Sequence, residues 1–317
     1  MITVSFPGLG IDNFTLNPVA FSIGKLEVRW YGLIITTGIL LAVAYAYYRS
    51  KQEKIILDDL LDMALFTVPC AVIGARLYYV LTSLSEYDSF YEMIAIWNGG
   101  LAIYGAIIAG AITLLCVSKY KKINPLKTFD MVSPAVMIGQ ILGRWGNFFN
   151  GEAYGTEIAE GSLLYFIRMG LTPNINSYST MYYFHPTFLY ESLWNLIGFI
   201  IINALYKKKK FDGQVFLMYV SWYGFGRMFI EGLRTDSLYV GVFRISQVLG
   251  FICFLVGTTL LIYNLARIRR EKLTNEVAYE AKYPKFKTVA TMGTPNSTED
   301  TDETEDEDLT DIENTEE

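Results

Sequence analysis

Seven apolar stretches, each close to twenty residues long, constrain this chain before any motif is considered. They run at about 30–48, 60–81, 100–117, 129–148, 187–206, 213–230 and 245–265 of 317 residues. A helix of about 20 apolar residues covers the hydrocarbon core of a bilayer. Inside lipid the backbone must satisfy its own hydrogen bonds, which leaves helices or a closed barrel, and the dyad alternation of barrel strands is missing. The expected fold is therefore an all-α polytopic membrane protein with seven transmembrane helices, occupying a domain over residues 1–272. Charged residues make up 18% of the chain, against about 25% in ordinary soluble proteins.

Basic side chains fall at every second boundary. Arg49, Lys51 and Lys54 follow the first stretch, Lys119, Lys121 and Lys122 the third, Lys207 to Lys210 the fifth, and Arg267, Arg269, Arg270 and Lys272 the seventh. By the positive-inside rule these ends face the cytoplasm, the N-terminus lies outside and the C-terminus inside. The region before Trp30 lacks the basic and short apolar parts of a cleavable signal peptide. The formal net charge of −6 comes from the end of the chain, where residues 299–317 hold acidic side chains and no basic ones. Without that run the body is basic, which suits contact with anionic lipid. Residues 273–317 are expected to be a mostly disordered acidic tail. The long connection at about 149–186, rich in Gly, Asn and Tyr, and the segment 83–98 ending in Trp97 are expected outside. The first of these should be an ordered extracytoplasmic region, and the second should lie along the interface. Cys70, Cys116 and Cys253 sit inside apolar stretches without metal-type spacing and read as buried small hydrophobes. The lone histidine, His185, argues against a multi-histidine metal site, and no metal is expected.

Charges inside apolar stretches point to function. Arg76, Arg144 and Arg227 lie in or at the edge of the second, fourth and sixth stretches. Each costs about 2.5–3.5 kcal/mol at membrane depth. Snorkelling or a structural ion pair would accommodate any one of them. Three on the same side make a natural phosphate site. Tyr223, Arg227, Glu231 and Arg234 are spaced to form one helical stripe, so Glu231 either locks packing or holds a guanidinium toward a phosphate. Arg144 and Asn147 share a face at the end of the fourth stretch, followed by Asn150, Glu152 and Gly155. There Glu152 would orient Arg144 or act as a base. Tyr104 follows two glycines at the start of the third stretch. It reads either as an interfacial tyrosine or as a phenol against which a ligand packs. His185, before Pro186 and Thr187, reads first as a structural hydrogen-bonder. An anion transporter would call for inverted repeats or broken helices, and a lipid-binding scaffold for polar residues scattered at the interfaces. The sequence has neither pattern.

Together these residues resemble the prolipoprotein diacylglyceryl transferase family. The resemblance rests on Gly143-Arg144-x-Gly146-Asn147-x-x-Asn150-x-Glu152-x-x-Gly155, Trp30-Tyr31-Gly32 and Gly99-Gly100 before Tyr104. It also includes His185-Pro186-Thr187 with Tyr190-Glu191, and Tyr223 through Arg227, Glu231 and Arg234. It covers about residues 15–265. It implies a seven-helix enzyme of the bacterial cytoplasmic membrane that needs no cofactor. Such an enzyme moves the diacylglyceryl group of phosphatidylglycerol to the lipobox cysteine of prolipoprotein signal peptides and releases glycerol phosphate. The partners implied are that lipid, those peptides and the surrounding membrane lipid, with no nucleic acid. The site should face the outer leaflet. The resemblance implies Arg144, Arg227, Tyr104 and Glu152 as catalytic residues, and Arg144, Asn147, Tyr31, Tyr223, Arg234 and Glu231 as contacts to phosphatidylglycerol. His185, Gly155, Asn150 and Arg76 would give support. Many members carry His where Tyr104 stands and Gln where Phe188 stands. A phenol with a pKa near 10 is a poor base at neutral pH.

Overall fold

The computed structural model describes residues 2–274 apart from 25, 173–180, 236 and 238. The helices are α1 (Trp30–Glu53), α2 (Leu57–Thr82), the short α3 (Phe90–Ile94), α4 (Ile103–Tyr120), α5 (Pro125–Asn150), α6 (Thr187–Tyr206), α7 (Gln214–Ile230) and α8 (Ile245–Thr274). All but α3 coincide with the seven apolar stretches. The strands are β1 (Ile2–Phe6), β2 (Ile11–Leu16), β3 (Val19–Ile23), β4 (Leu26–Arg29), β5 (Met169–Thr172), β6 (Tyr182–Phe184), β7 (Tyr239–Val240) and β8 (Phe243–Arg244).

By length and composition, α1, α2, α4, α6 and the portion Ile245–Lys272 of α8 are apolar enough to cross a membrane. Helix α7 has 17 residues, and α5 is interrupted by Lys127, Asp130 and Arg144. These two helices supply most of the polar side chains described below. The apolar faces of the long helices are turned outward: Leu40, Leu65, Ile73, Ile107, Ile112 and Ile262 are all exposed. This corrects the expectation for the cysteines, since Cys116 is exposed and the other two only half-buried, all as free thiols. A lipid-facing helix surface is apolar for the same solvation reason that a soluble core is, so apolar character alone does not imply burial within the protein.

The helical reading left out the strands. Ile2-Thr3-Val4-Ser5-Phe6 alternates and is rich in β-branched residues, as a strand requires. It pairs antiparallel with β2 on one side and β5 on the other, giving a four-stranded sheet in the order β2-β1-β5-β6. Val4, Phe6, Leu16, Met169 and Leu171 pack against Phe148 at the end of α5 and Phe188 at the start of α6. The Phe148 and Phe188 rings stack with centroids 4.6 Å apart. The sheet thus covers the bundle end where α5 finishes and α6 begins. It is built partly from the long connection that was expected to be ordered; residues 173–180 of that connection, and the acidic tail, lie outside the described residues.

At the opposite end the termini of α1, α5 and α6 meet in a buried ionic network. Lys209 Nζ lies 2.6 Å from Glu53 and 3.1 Å from Asp130, and the Tyr206 hydroxyl donates to Glu53 at 2.8 Å. Asp130 also accepts from the backbone amides of Gly213 and Phe216 at 2.8 and 2.9 Å, capping the N-terminus of α7 from another helix. Burial alone would lower the Lys209 ammonium, but Asp130 and Glu53 outweigh it and hold it above its ordinary value. Arg49 donates to the Tyr45 hydroxyl at 2.6 Å and to Asn203 of α6, so Arg49 and Lys209, both topological signals in the sequence, are also structural ties.

Candidate functional site

The site forms where α5 and α7 end and α6 begins. Arg144 sits on the last turns of α5, Arg227 on the last turn of α7, and Arg234 just after the turn 231–233 that follows α7. All three guanidiniums converge on one carboxylate, Glu191 of α6. Arg144 NH2 pairs with Glu191 Oε2. Arg227 NH1 and Arg234 NH1 approach Oε1 at 2.8 and 3.1 Å. Arg227 NH2 also meets Glu231 at 2.7 Å, the i,i+4 pair that the stripe implied. Glu191 and Glu231 are buried at 3% and 1% exposure. Among the described residues, these three guanidiniums meet two carboxylates, Glu191 and Glu231. Guanidinium forks suit such an arrangement, since one edge can hold a carboxylate while other N–H groups stay directed elsewhere.

The glycine-rich exit from α5 shapes the wall beside this cluster. Asn147 Oδ1 lies 3.5 Å from Arg144 NH1, and Asn147 Nδ2 donates to Glu152 at 3.0 Å. Asn150 Nδ2 reaches the same Glu152 oxygen at 3.2 Å. Glu152 therefore organises the two asparagines, while the carboxylate that holds Arg144 is Glu191. The chain then passes between two other segments. Gly155 N donates to His185 O at 2.8 Å, and Thr156 N to Leu233 O at 2.6 Å. A Cβ on Gly155 would meet His185 Cβ at 2.7 Å and Leu233 O at 2.9 Å, so only glycine permits this approach, which holds Gly155 in an isolated antiparallel bridge with Arg234.

Aromatic hydroxyls line the rest. Tyr223 lies within electrostatic reach of Arg227, Glu191, Arg144 and Tyr104. The Tyr104 hydroxyl is 2.6 Å from Ser246 Oγ on α8. Tyr31, on the first turn of α1, lies over Gly146, where a Cβ would come within 2.9 Å of its ring, and it stands near Glu152 and Arg144. His185 Nδ1 is 3.1 Å from the Tyr190 hydroxyl. Burial pushes its imidazole below the ordinary histidine value.

Arg76 does not join the cluster. Its guanidinium donates to four backbone carbonyls: Glu92 at 2.6 Å, Met93 at 2.9 Å, Gly99 at 2.5 Å and Gly100 at 3.0 Å. Gly99 and Gly100 have φ of +88° and +74°, and this left-handed turn aims their carbonyls at the guanidinium. It also explains why α4 starts at Ile103 rather than 100. Arg76→Ala should leave these carbonyls without their charged donor and loosen residues 83–102. Faster limited proteolysis there, with only a modest fall in activity, is expected; complete loss of activity with the segment still protected would return Arg76 to the site.

The sequence reading passed over the hub. Glu191 was noted only as part of a motif, yet it is the single charged residue between 187 and 206. The accounting that singled out the arginines, that a charge within an apolar span needs a partner, applies equally to a carboxylate.

A family model described as prolipoprotein diacylglyceryl transferase matches residues 18–263. A Lactobacillus delbrueckii subsp. bulgaricus protein named phosphatidylglycerol–prolipoprotein diacylglyceryl transferase is 46% identical over 260 residues, covering 80% of this chain and 93% of its own. Relatives of the same name from Streptococcus suis and Streptococcus pneumoniae serotype 4 are 45% and 47% identical over 261 and 252 residues. They cover 81% and 78% of this chain and 94% of their own length in each case. The chain belongs to the prolipoprotein diacylglyceryl transferase family.

Proposed function

We propose that this protein transfers the diacylglyceryl group of phosphatidylglycerol to the thiol of a prolipoprotein lipobox cysteine, with the arginine cluster gripping the lipid phosphate. The observation that carries the reading is the convergence of Arg144, Arg227 and Arg234 on Glu191. In the reaction the substrate sulfur attacks the terminal glycerol carbon of the diacylglycerol unit, and the thiol proton passes to the departing phosphate or to solvent. The C–O bond to phosphate breaks, and glycerol phosphate leaves with the bonding electrons. The enzyme needs no nucleophile of its own. It holds the lipid in line and stabilises the charge that gathers on the leaving phosphate. In this reading Asn147, Tyr31 and Tyr223 position the head group, Glu191 and Glu231 hold the arginines, and Glu152 orders Asn147 and Asn150. His185 and Gly155 support the wall.

The topology that fits is seven crossings, with the N-terminus outside, the C-terminus and acidic tail in the cytoplasm, and the site in the outer leaflet of the bacterial cytoplasmic membrane. The alternating basic boundaries support it, as does placement of the sheet and the arginine cluster at the end away from Lys209. Mass-spectrometric detection of a thioether-linked diacylglyceryl peptide, made from phosphatidylglycerol and a lipobox peptide, tests the reaction. Anion flux without lipid turnover would replace it with transport.

Tyr104 separates two roles. If its hydroxyl, paired with Ser246, only positions the lipid, Tyr104→Phe should lower the transfer rate by about tenfold or less, the loss of a hydrogen bond. Abolished transfer with normal lipid binding would instead make the phenol an essential proton carrier.

A further inference from the structure

Beneath the arginine cluster, the facing surfaces of α5 and α7 stay polar for one more turn. Gln140 precedes Arg144 by four residues and Tyr219 precedes Tyr223 by four, so each shares the face of its successor one turn deeper in the bundle. Gln140 Nε2 donates to the Tyr219 hydroxyl at 2.9 Å, and the Tyr219 and Tyr223 rings stack with centroids 5.9 Å apart. Among the described residues this is the one hydrogen bond either side chain makes, and Gln140 Oε1 is buried without a partner. Whichever way the amide is turned, at least one N–H or O–H proton of the pair is left to donate. A single bond would suffice to tie two membrane helices together; a buried polar atom left without a partner is costly.

One helical turn advances about 5.4 Å, a spacing of the same order as that from phosphate to acyl ester in a glycerophospholipid. The ester also lies on the deeper side of the phosphate, as Gln140 and Tyr219 lie on the deeper side of Arg144 and Tyr223. We propose that Gln140 and Tyr219 form a donor subsite for an ester carbonyl of the lipid, selecting ester-linked over ether-linked diacylglyceryl donors. The proposal rests on the reading that the arginine cluster grips the lipid phosphate.

The test supplies the full-length protein in detergent with a lipobox peptide and either diacyl or dialkyl phosphatidylglycerol of matched chain length. The wild type should prefer the ester lipid by about tenfold in kcat/KM, as loss of one hydrogen bond to a buried donor implies. Tyr219→Phe and Gln140→Leu should bring that ratio toward one, chiefly by slowing the ester lipid. Any intrinsic difference in reactivity between the lipids would persist in the variants, so an unchanged ratio in both overturns the subsite. So does a wild-type ratio of one. For a variant too unstable to turn over, the same ratio is read from its affinities for the two lipids by native mass spectrometry. A wild-type protein that makes no product from the ester lipid would take down the transfer reading, and the subsite with it.

Discussion

Replacing Arg144 or Arg227 with alanine should reduce transfer by at least about 100-fold, the scale seen when one preorganised donor to developing charge is removed. The two variants are expected to fail differently. Arg227 is tied to both Glu191 and Glu231, so its loss leaves two buried carboxylates short of a partner and should also lower the melting temperature in detergent. Arg144 is more open, with 21% of its side chain exposed, and shares Glu191 with two other arginines. Its loss should fall more on function than on stability. Membrane insertion should be unaffected in both, because removing a charge makes an apolar span easier to insert. Stabilisation of the protein by added phosphatidylglycerol should shrink in each variant, since a ligand stabilises only in proportion to its binding. Full activity in both would end the phosphate-grip model.

Glu191→Gln is the second large effect. The substitution keeps the volume but removes the charge that holds three guanidiniums together and turns an amide N–H toward one of them. Breaking a buried ion pair by deleting one partner costs about 3–5 kcal/mol, and the partial exposure of Arg144 places the expected loss at the lower end. The melting temperature should drop by several degrees. Transfer should fall on the order of 100-fold, because the arginines would no longer be fixed before the lipid arrives. Glu191→Asp keeps the charge but draws it back by one methylene, and should recover stability more than rate. A Gln variant with wild-type melting and rate would show that the arginines are ordered by something other than Glu191.

The sequence by itself determined the seven long helices among the described residues, because each apolar stretch is contiguous and close to twenty residues long. It also determined the set of polar residues that share faces: a four-residue spacing along one helix fixes Arg227 against Glu231 without any knowledge of the neighbours. The pairings between helices were decided only by the tertiary structure. Glu191 is 47 residues from Arg144 and 36 from Arg227, and no local period links them. Glu152, close to Arg144 along the chain, binds Asn147 and Asn150 instead. Arg76 looked like a fellow of Arg144 and Arg227 but lies among the carbonyls of residues 92–100. A buried guanidinium is satisfied by any convergent set of acceptors, and which set it meets depends on how the helices and the turn at Gly99 and Gly100 pack.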